Sequence, residues 1–302
     1  MKPSGMTKRR KILLGIAGIY VVGIIVFGLA YGIKGHKNEA FNVIDSFHLL
    51  TWFSVGPIAF NKGVLFLLIA TVLTIAIMVG VARRMKARPD GRLQVVVEWL
   101  YEISMGVTRD AMDEETSRRW FPVVATLFVF ILVTNLIGYI PLPVDSAETM
   151  NIFGVHVPAF QIYAADTNVA VPLVLSLGVF IAYTVEGLRA HGGIGYIKSL
   201  VPAGMEGPML VVIYPLEIVS NLLRLLSLTI RLWANLLAGH LLIEFMAGDL
   251  AVLLGLQLIG WITLPFGIAI YMFEAMLIAG LQAFIFAILT AIYIGGATAK
   301  QH

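Results

Sequence analysis

Two arginines and several other polar residues interrupt a strongly apolar stretch of this chain. Arginine inside a membrane-spanning segment costs roughly 2.5 to 3.5 kcal/mol on insertion scales, so two in one run require a reason. A guanidinium keeps its proton at accessible pH, which makes it a poor proton carrier and a good fixed positive charge. Such a charge favours ionisation of a carboxylate that approaches it. The polar positions are Glu217, Arg224, Arg231, Asn235, His240 and Glu244.

Helical spacing gathers most of these positions on one side of a helix. Glu217, Arg224 and Arg231 recur every seven residues, which is close to two full turns. Ser220, Ser227 and Asn235 fall near the same side. The stretch therefore predicts a membrane helix with a buried polar face and an arginine at its middle. Two alternatives are that Arg231 is structural and paired with Glu217, and that Arg224 extends toward the membrane surface.

A second polar group combines a histidine with carboxyl and amide side chains. Histidine titrates near neutral pH, and a buried carboxyl group can titrate in the same range. Such a set can form a proton path that reaches one membrane face, whereas each residue alone is more often a hydrogen-bonded core residue. The members are His240, Glu244, Glu274 and Gln282.

The composition is that of an integral membrane protein. The 302 residues are 59% hydrophobic and 13% charged, against about 25% charged in soluble domains. The absence of cysteine excludes disulfides and thiolate metal sites, and the six histidines are scattered, so we expect no metal. There is no P-loop, no dinucleotide-binding glycine pattern and no HExxH or GxSxG motif. We therefore expect no cofactor.

Apolar runs and flanking charges predict an all-α integral membrane protein with about six membrane-embedded helices. Basic residues flank one side and acidic residues the other, which predicts that both termini lie in the cytoplasm. We expect the membrane to be a bacterial inner (plasma) membrane. The first four runs are Ile12–Ile33, Gly63–Val81, Trp120–Ile140 and Asn168–Val185.

The first apolar run has two interpretations. It follows Lys8 to Lys11 and is long enough to span a bilayer, which favours a retained helix in an N-terminal extension over residues 1–40. The alternative is a cleaved signal peptide, although signal cores are usually about 7–15 residues long. Residues 41–302 are then the main membrane domain.

Three further helices differ from simple spans. Leu93 to Val107 repeats apolar residues at helical spacing, which predicts an amphipathic helix on the cytoplasmic membrane face or, alternatively, one packed on another subunit. Met209–Met246 and Trp261–Ile294 are each longer than a hydrocarbon core of about 30 Å requires. They are either broken or steeply tilted, and we favour tilt.

Four motifs resemble subunit a of the rotary (F-type) ATP synthase, the proton-channel stator family. The resemblance extends from about residue 47 to the C-terminus. The motifs are SLTIRLWANLLAGHLL at Ser227–Leu242, GLQAFIFAILTAIYI at Gly280–Ile294, TLFVFILVTNLIGYIPLP at Thr126–Pro143 and ADTNVAVPLVLSLGVFI at Ala165–Ile181.

The resemblance implies roles for individual residues. Arg231 matches the essential arginine that faces the carboxylates of the rotating c-ring, and Asn235 and Gln282 match its polar neighbours. His240 has Glu274 as its complement on the last helix, although Glu274 lies eight residues before Gln282, where the family more often shows seven. Glu217, Ser220 and Ser227 match polar positions of the channel helix, and Asn135, Asp166 and Asn168 match positions of less certain role.

The resemblance also implies partners and a function without chemistry on ATP. The partners are the c-ring, the peripheral-stalk subunit b, the remaining ATP synthase subunits and membrane lipid, with no nucleic acid. Two other classes of membrane protein are alternatives. A secondary ion transporter would need a central site, usually within inverted repeats, and an intramembrane enzyme would need a nucleophile–base pair or a metal motif. The sequence shows neither.

Overall fold

The computed structural model describes residues 15, 18–26, 51–55, 58–84, 91–140, 149–152, 155–158, 168–199, 210–246 and 257–299. Two compact units divide the chain. One consists of Met1–His48 and Gly239–Met272, and the other of Leu49–Ala238 and Phe273–His302. Each unit is described by itself, and most of the described residues belong to the second.

Helices form all the described elements long enough to cross a membrane, which confirms the all-α prediction. Eight α-helices and a five-residue π-helical segment follow in chain order among the described residues, after a helical segment at 18–26, and residues 245–246 also have π-helical geometry. They are α1 (Lys62–Arg84), α2 (Arg92–Ala111), α3 (Glu114–Gly138), α4 (Ala170–His191), α5 (Gly193–Ser199), α6 (Leu210–Glu244), α7 (Gln257–Phe273), the π segment (Glu274–Ile278) and α8 (Ala279–Thr298).

Two short β-hairpins, which the sequence patterns did not predict, add to the helices. Strands β1 (Thr51–Val55) and β2 (Ile58–Asn61) pair antiparallel, as do β3 (Thr149–Ile152) and β4 (Val155–Pro158). They fall before α1 and between α3 and α4. Strands of four or five residues are too short to show a clear alternating pattern in a sequence.

Five described segments are long and apolar enough to cross a membrane: residues 63–80, 114–138, 170–191, 211–243 and 262–298. They correspond to the predicted runs other than Ile12–Ile33, most of which lies outside the described residues. The helix α6 continues through Pro215 as one α-helix of 35 residues, about 52 Å long. The last span is also continuous, but the π segment interrupts its α-helical geometry. The steep tilt of these two helices remains a prediction.

The centre of the larger unit is α8, which packs against α2, α3 and α4. Its packed face carries small residues every fourth position, which allows neighbouring backbones to approach closely. These residues are fully or almost fully buried: Ala279, Ala283, Ala287, Ala291 and Gly295. A Cβ atom on Gly295 would overlap the carbonyl oxygen of Ala111 at the end of α2.

Charged residues mark one end of this bundle. Arg119 at the start of α3 pairs with Glu186 near the end of α4, and Arg189 lies 3.6 Å from the same carboxylate. Glu186 is only 3% exposed, so its charge is balanced where α3 and α4 meet. Because α3 and α4 run in opposite directions here, the end of α3 lies at the other end of the bundle.

The helix α3 begins earlier than the predicted span, because charged residues extend it beyond the apolar run. The side chain of Asp113 accepts a hydrogen bond from the Thr116 backbone N–H and caps the helix. In the first turns, Arg118 and Glu114 form an exposed ion pair at 2.6 Å. Hydropathy alone placed the start at Trp120 because it detects the apolar run and not the helix itself.

Replacing Asp113 with alanine is expected to lower the free energy of unfolding by about 1 kcal/mol at pH 7, the usual effect of losing an N-cap. Hydrogen bonds from the Thr116 side chain and backbone lower the pKa of Asp113. The stabilisation by its charge is thus complete above the ordinary value of 3.8 and is lost as the pH falls through the lower folded-state value. Thermal unfolding in detergent at several pH values measures this, with Asp113→Ser as a cap without charge. Equal unfolding midpoints for Asp113→Ala and the native chain would contradict it.

Candidate functional site

The polar stripe of α6 lies at the edge of its packed face. Leu228, Leu232 and Leu236 are buried, at 3%, 1% and 0% exposure, and define the face toward the chain's own core. Arg224, Ser227 and Arg231 are exposed, whereas Glu217, Ser220 and Asn235 are half-buried. The prediction of a buried polar face is therefore wrong for the chain by itself, because the stripe lies beside the leucine face and not within it.

Glu217 and Arg224 pair with each other inside α6. The Arg224 Nη2 lies 3.7 Å from the Glu217 Oε1, and its Nη1 donates to Asn221 Oδ1 at 3.3 Å. Its guanidinium also lies 5.7 Å from the ring centroid of Tyr293 on α8, a cation–π distance. These contacts give Arg224 a structural role on the chain's own surface.

Arg231 has no such counter-charge. It forms no ion pair or hydrogen bond with any residue in the described part of the chain. The alternative pairing with Glu217 is ruled out by geometry, since fourteen residues of helix separate the two by about 21 Å. Arg231 and Gln282 line the same narrow crevice between α6 and α8, together with Ile285 and Phe286 of α8. The predicted neighbourhood of Arg231 and Gln282 is thus present.

Asn235 follows one turn after Arg231 and carries an unsatisfied donor. Its Nδ2 atom is buried and has no hydrogen-bond partner among the described residues. Leaving such a donor unpaired costs about 1 to 3 kcal/mol, so a bound water molecule would stabilise it. Arg231 therefore presents an exposed cation one turn from the buried, unpaired donor of Asn235.

Glu274 begins the π segment and contacts the end of α3. The Tyr139 hydroxyl donates to Glu274 Oε2 at 3.1 Å, and the carboxyl group is buried, at 9% exposure. Four residues earlier, the fully buried Asn135 donates through Nδ2 to the carbonyl oxygen of Ala279 at 3.1 Å. Both bonds lie at the end of the bundle opposite the arginines of α3 and α4.

The remaining predicted site residues are more dispersed. Asn168 Oδ1 accepts from the backbone N–H of Ala170 at 3.0 Å and so supports the start of α4. His240 is half-buried and belongs to the smaller unit, whereas Glu274 belongs to the larger one, so their predicted pairing stays a prediction. Asp166 and the Glu244 side chain lie outside the described residues. Within the described residues, no group of three or more histidine and acidic residues could hold a metal ion.

Sequence reasoning missed Tyr139, Asn221 and the hydroxyl pair formed by Ser176 of α4 and Thr229 of α6. Asn221 lies at helical spacing from both Glu217 and Arg224, so the pattern contained a signal for it. Tyr139 and the hydroxyl pair depend on contacts between distant segments, for which one sequence contains no signal.

Comparisons with known proteins identify the family of this chain. Residues 64–295, from α1 to α8, match the family model described as ATP synthase A chain. The chain belongs to this family. The matched range contains all of the predicted site residues.

Individual relatives extend the same result along the chain. The ATP synthase subunit a of Acidiphilium cryptum is 35% identical over 85% of this chain and 96% of its own length. That of Rubrobacter xylanophilus is 34% identical over 78% and 83%, and that of Hyphomonas neptunium 32% identical over 85% and 96%. Family membership and five apolar helices together make this a multi-pass membrane subunit of an ATP synthase. The boundary predicted at residue 40 stays a prediction.

Proposed function

We propose that this chain is the proton-translocating stator subunit of an F-type ATP synthase membrane sector, and that it performs no chemistry on ATP itself. The observation that carries the proposal is Arg231, an exposed cation in a membrane helix with no acidic partner among the described residues. Because an unpaired arginine inside a membrane is costly, a carboxylate from a partner protein would stabilise it. The carboxylates of a c-ring are such groups.

The proposed action of Arg231 is electrostatic. At 4 Å and an effective dielectric constant of about 20, a guanidinium favours an ionised carboxylate by about 4 kcal/mol. A ring carboxylate that reaches Arg231 therefore releases its proton before it arrives and binds another after it leaves. Because Arg231 itself cannot transfer protons, a proton can cross only by travelling around the ring on a carboxylate.

Two offset half-channels would supply and remove these protons. The set His240, Glu244, Glu274 and Gln282 is proposed to line one of them, and Glu217, Ser220 and Ser227 to supply polar positions along α6. Glu274 lies with the end of α3 and away from the arginine-flanked end of the bundle. Since arginines mark the cytoplasmic side, the half-channel of Glu274 is proposed to open on the opposite side.

Proton flow supplies the energy for synthesis in small steps. One unit charge that moves through 100 mV releases about 2.3 kcal/mol, so several protons are needed for each ATP. The remaining partners proposed are the peripheral-stalk subunit b, other ATP synthase subunits and lipid. The proposed location is a bacterial inner membrane with both termini in the cytoplasm, and tilt of α6 and of the last span would allow both to follow a cylindrical rotor.

Cysteine cross-linking tests which face of α6 meets the ring. The chain has no cysteine, so a single introduced one reports one position. Ser227 is exposed, so Ser227→Cys is expected to cross-link to cysteines placed near the ring carboxylate. Thr229 is only 2% exposed, so Thr229→Cys is not expected to cross-link. The matched pair differs by two positions on one helix. Cross-linking at position 229 but not at 227 would exclude the proposed orientation.

A further inference from the structure

The π segment Glu274–Ile278 joins α7 to α8 at the carboxyl group of the proposed proton path. The π turn is defined by the backbone N–H of Ala279, which donates a hydrogen bond to the carbonyl oxygen of Glu274, five residues earlier. An α-helix would make this bond over four residues. Single π turns are rare, and they occur frequently at functional sites. This π turn begins at Glu274, the only acidic residue in the described range 257–299.

Two side chains at the end of α3 contact the π segment at both of its ends. The hydroxyl of Tyr139, the residue that caps α3, donates to the Glu274 carboxyl group, and the Asn135 amide of α3 donates to the carbonyl oxygen of Ala279. Tyr139 follows Asn135 by four residues, about one helical turn. The contacts bury Asn135 completely and leave Glu274 at 9% exposure. The π geometry is therefore fixed from outside by a neighbouring helix.

The π turn changes which face of the helix Glu274 shares. In a regular α-helix, residues seven apart are within about 20° of the same face, whereas residues eight apart differ by about 80°. Because of the i to i+5 bond, the five steps along the chain from Glu274 to Ala279 cover the turn that four steps cover in an α-helix. The eight residues from Glu274 to Gln282 therefore act as seven.

We propose that the π segment is a register correction, which returns Glu274 to the face of Gln282 despite one additional residue between them. Tyr139 and Asn135 are then positioning residues, because they hold the corrected register without carrying protons. The proposal rests on the proposed function, since it assumes that Glu274 and Gln282 act along one proton path. It removes the discrepancy between the eight-residue spacing of this chain and the seven-residue spacing more usual in the family it resembles.

Single-residue deletions distinguish the corrected register from a regular one. Deleting Met276, which is 78% exposed, should convert the π turn into an α turn and leave both flanking segments in place. Deleting Leu281, 46% exposed, gives the same seven-residue spacing, but relaxation of the π turn would then place Ile278 at the buried position of Ala279. In ATP-driven acidification of inverted vesicles, we expect the Met276 deletion to keep at least half of the native rate and the Leu281 deletion to lose most of it.

Moving the carboxyl group by one residue gives a second test that needs no change in chain length. In a regular α-helix, position 275 would be the one that shares a face with Gln282. With the π turn, position 274 has that place, so the double variant Glu274→Ala/Ala275→Glu should pump no faster than Glu274→Ala. Rescue by the double variant would overturn the proposal, as would equal pumping by the two deletion variants when both assemble with the ring. If neither deletion variant assembles with the ring, the double variant decides.

The same vesicles separate this proposal from the proposed function. Pumping by Arg231→Ala at the native rate would exclude the stator function, whatever the deletions do. Native pumping by Glu274→Ala would remove Glu274 from the proton path, and the thermal unfolding midpoints of the two deletion variants would still test the register. With both point variants inactive, loss of pumping after deletion of Met276 in an assembled complex would overturn the register correction alone.

Discussion

Replacing Arg231 with alanine is expected to abolish ATP-driven proton pumping while the subunit still assembles with the ring. The cation contributes about 4 kcal/mol toward ionising a nearby carboxylate, so its removal should slow pumping by on the order of a hundredfold or more. No described residue of this chain offers a second cation at the same position, because Arg224 is two turns away and occupied by Glu217. Acidification of inverted vesicles, at equal amounts of co-purified ring, measures the loss.

Arg224→Ala is the matched control for this variant. It removes an arginine from the same helix and stripe, but that arginine is paired with Glu217 and lies over Tyr293. We expect it to lower the yield of the complex more than the rate per complex. Arg231→Lys adds a further comparison, since an ammonium can lose its proton when buried whereas a guanidinium cannot. Native pumping by Arg231→Ala, or equal loss in the two alanine variants, would contradict the role of Arg231.

Gly295→Ala is expected to have the largest effect on folding and assembly. The added Cβ would overlap the carbonyl oxygen of Ala111 and lie 3.3 Å from the Met112 side chain, so α8 and the end of α2 must separate. Overpacking of this kind costs about 1 to 3 kcal/mol in soluble cores, and a backbone atom cannot move aside as a flexible side chain can. The amount of folded subunit in the membrane, and its unfolding midpoint, should both fall.

The next residue provides the control for this substitution. A Cβ on Gly296 meets nothing within 4 Å, so Gly296→Ala should leave folding and pumping close to native. Each variant adds one methyl group, and the two positions are adjacent in the chain. Equal yields and midpoints for both would show that α8 does not approach α2 as closely as the structure places it.

The sequence was sufficient to predict the helices but not their exact geometry. Hydropathy located the spans because membrane helices must bury all their backbone hydrogen bonds and present apolar side chains. It set the start of α3 at Trp120 because the capped turn from Asp113 is charged. The π segment has no local sequence motif, and its contacts with Tyr139 and Asn135 come from more than 130 residues earlier in the chain. The one sequence signal for it is the eight-residue spacing between Glu274 and Gln282.

The site shows the same division between local and distant information. Helical spacing correctly grouped the stripe of α6, and the motifs of α6 and α8 placed Arg231 beside Gln282. Spacing also favours Arg224 over Arg231 as the partner of Glu217, because seven residues of helix separate Glu217 from Arg224 and fourteen separate it from Arg231. The contact of Arg224 with Tyr293 on α8, in contrast, depends on how the helices pack and has no signal in one sequence.

The pairing of Arg224 with Glu217 also affects the stability of the subunit before it binds a partner. An inserted chain already neutralises one of the two α6 arginines by itself, at an N–O distance of 3.7 Å. The other, Arg231, leaves a cation exposed in the bilayer at a cost of roughly 2.5 to 3.5 kcal/mol until an acidic partner arrives. A subunit without its partner is therefore the less stable species, and binding of a carboxylate at Arg231 stabilises the assembled form over the free one.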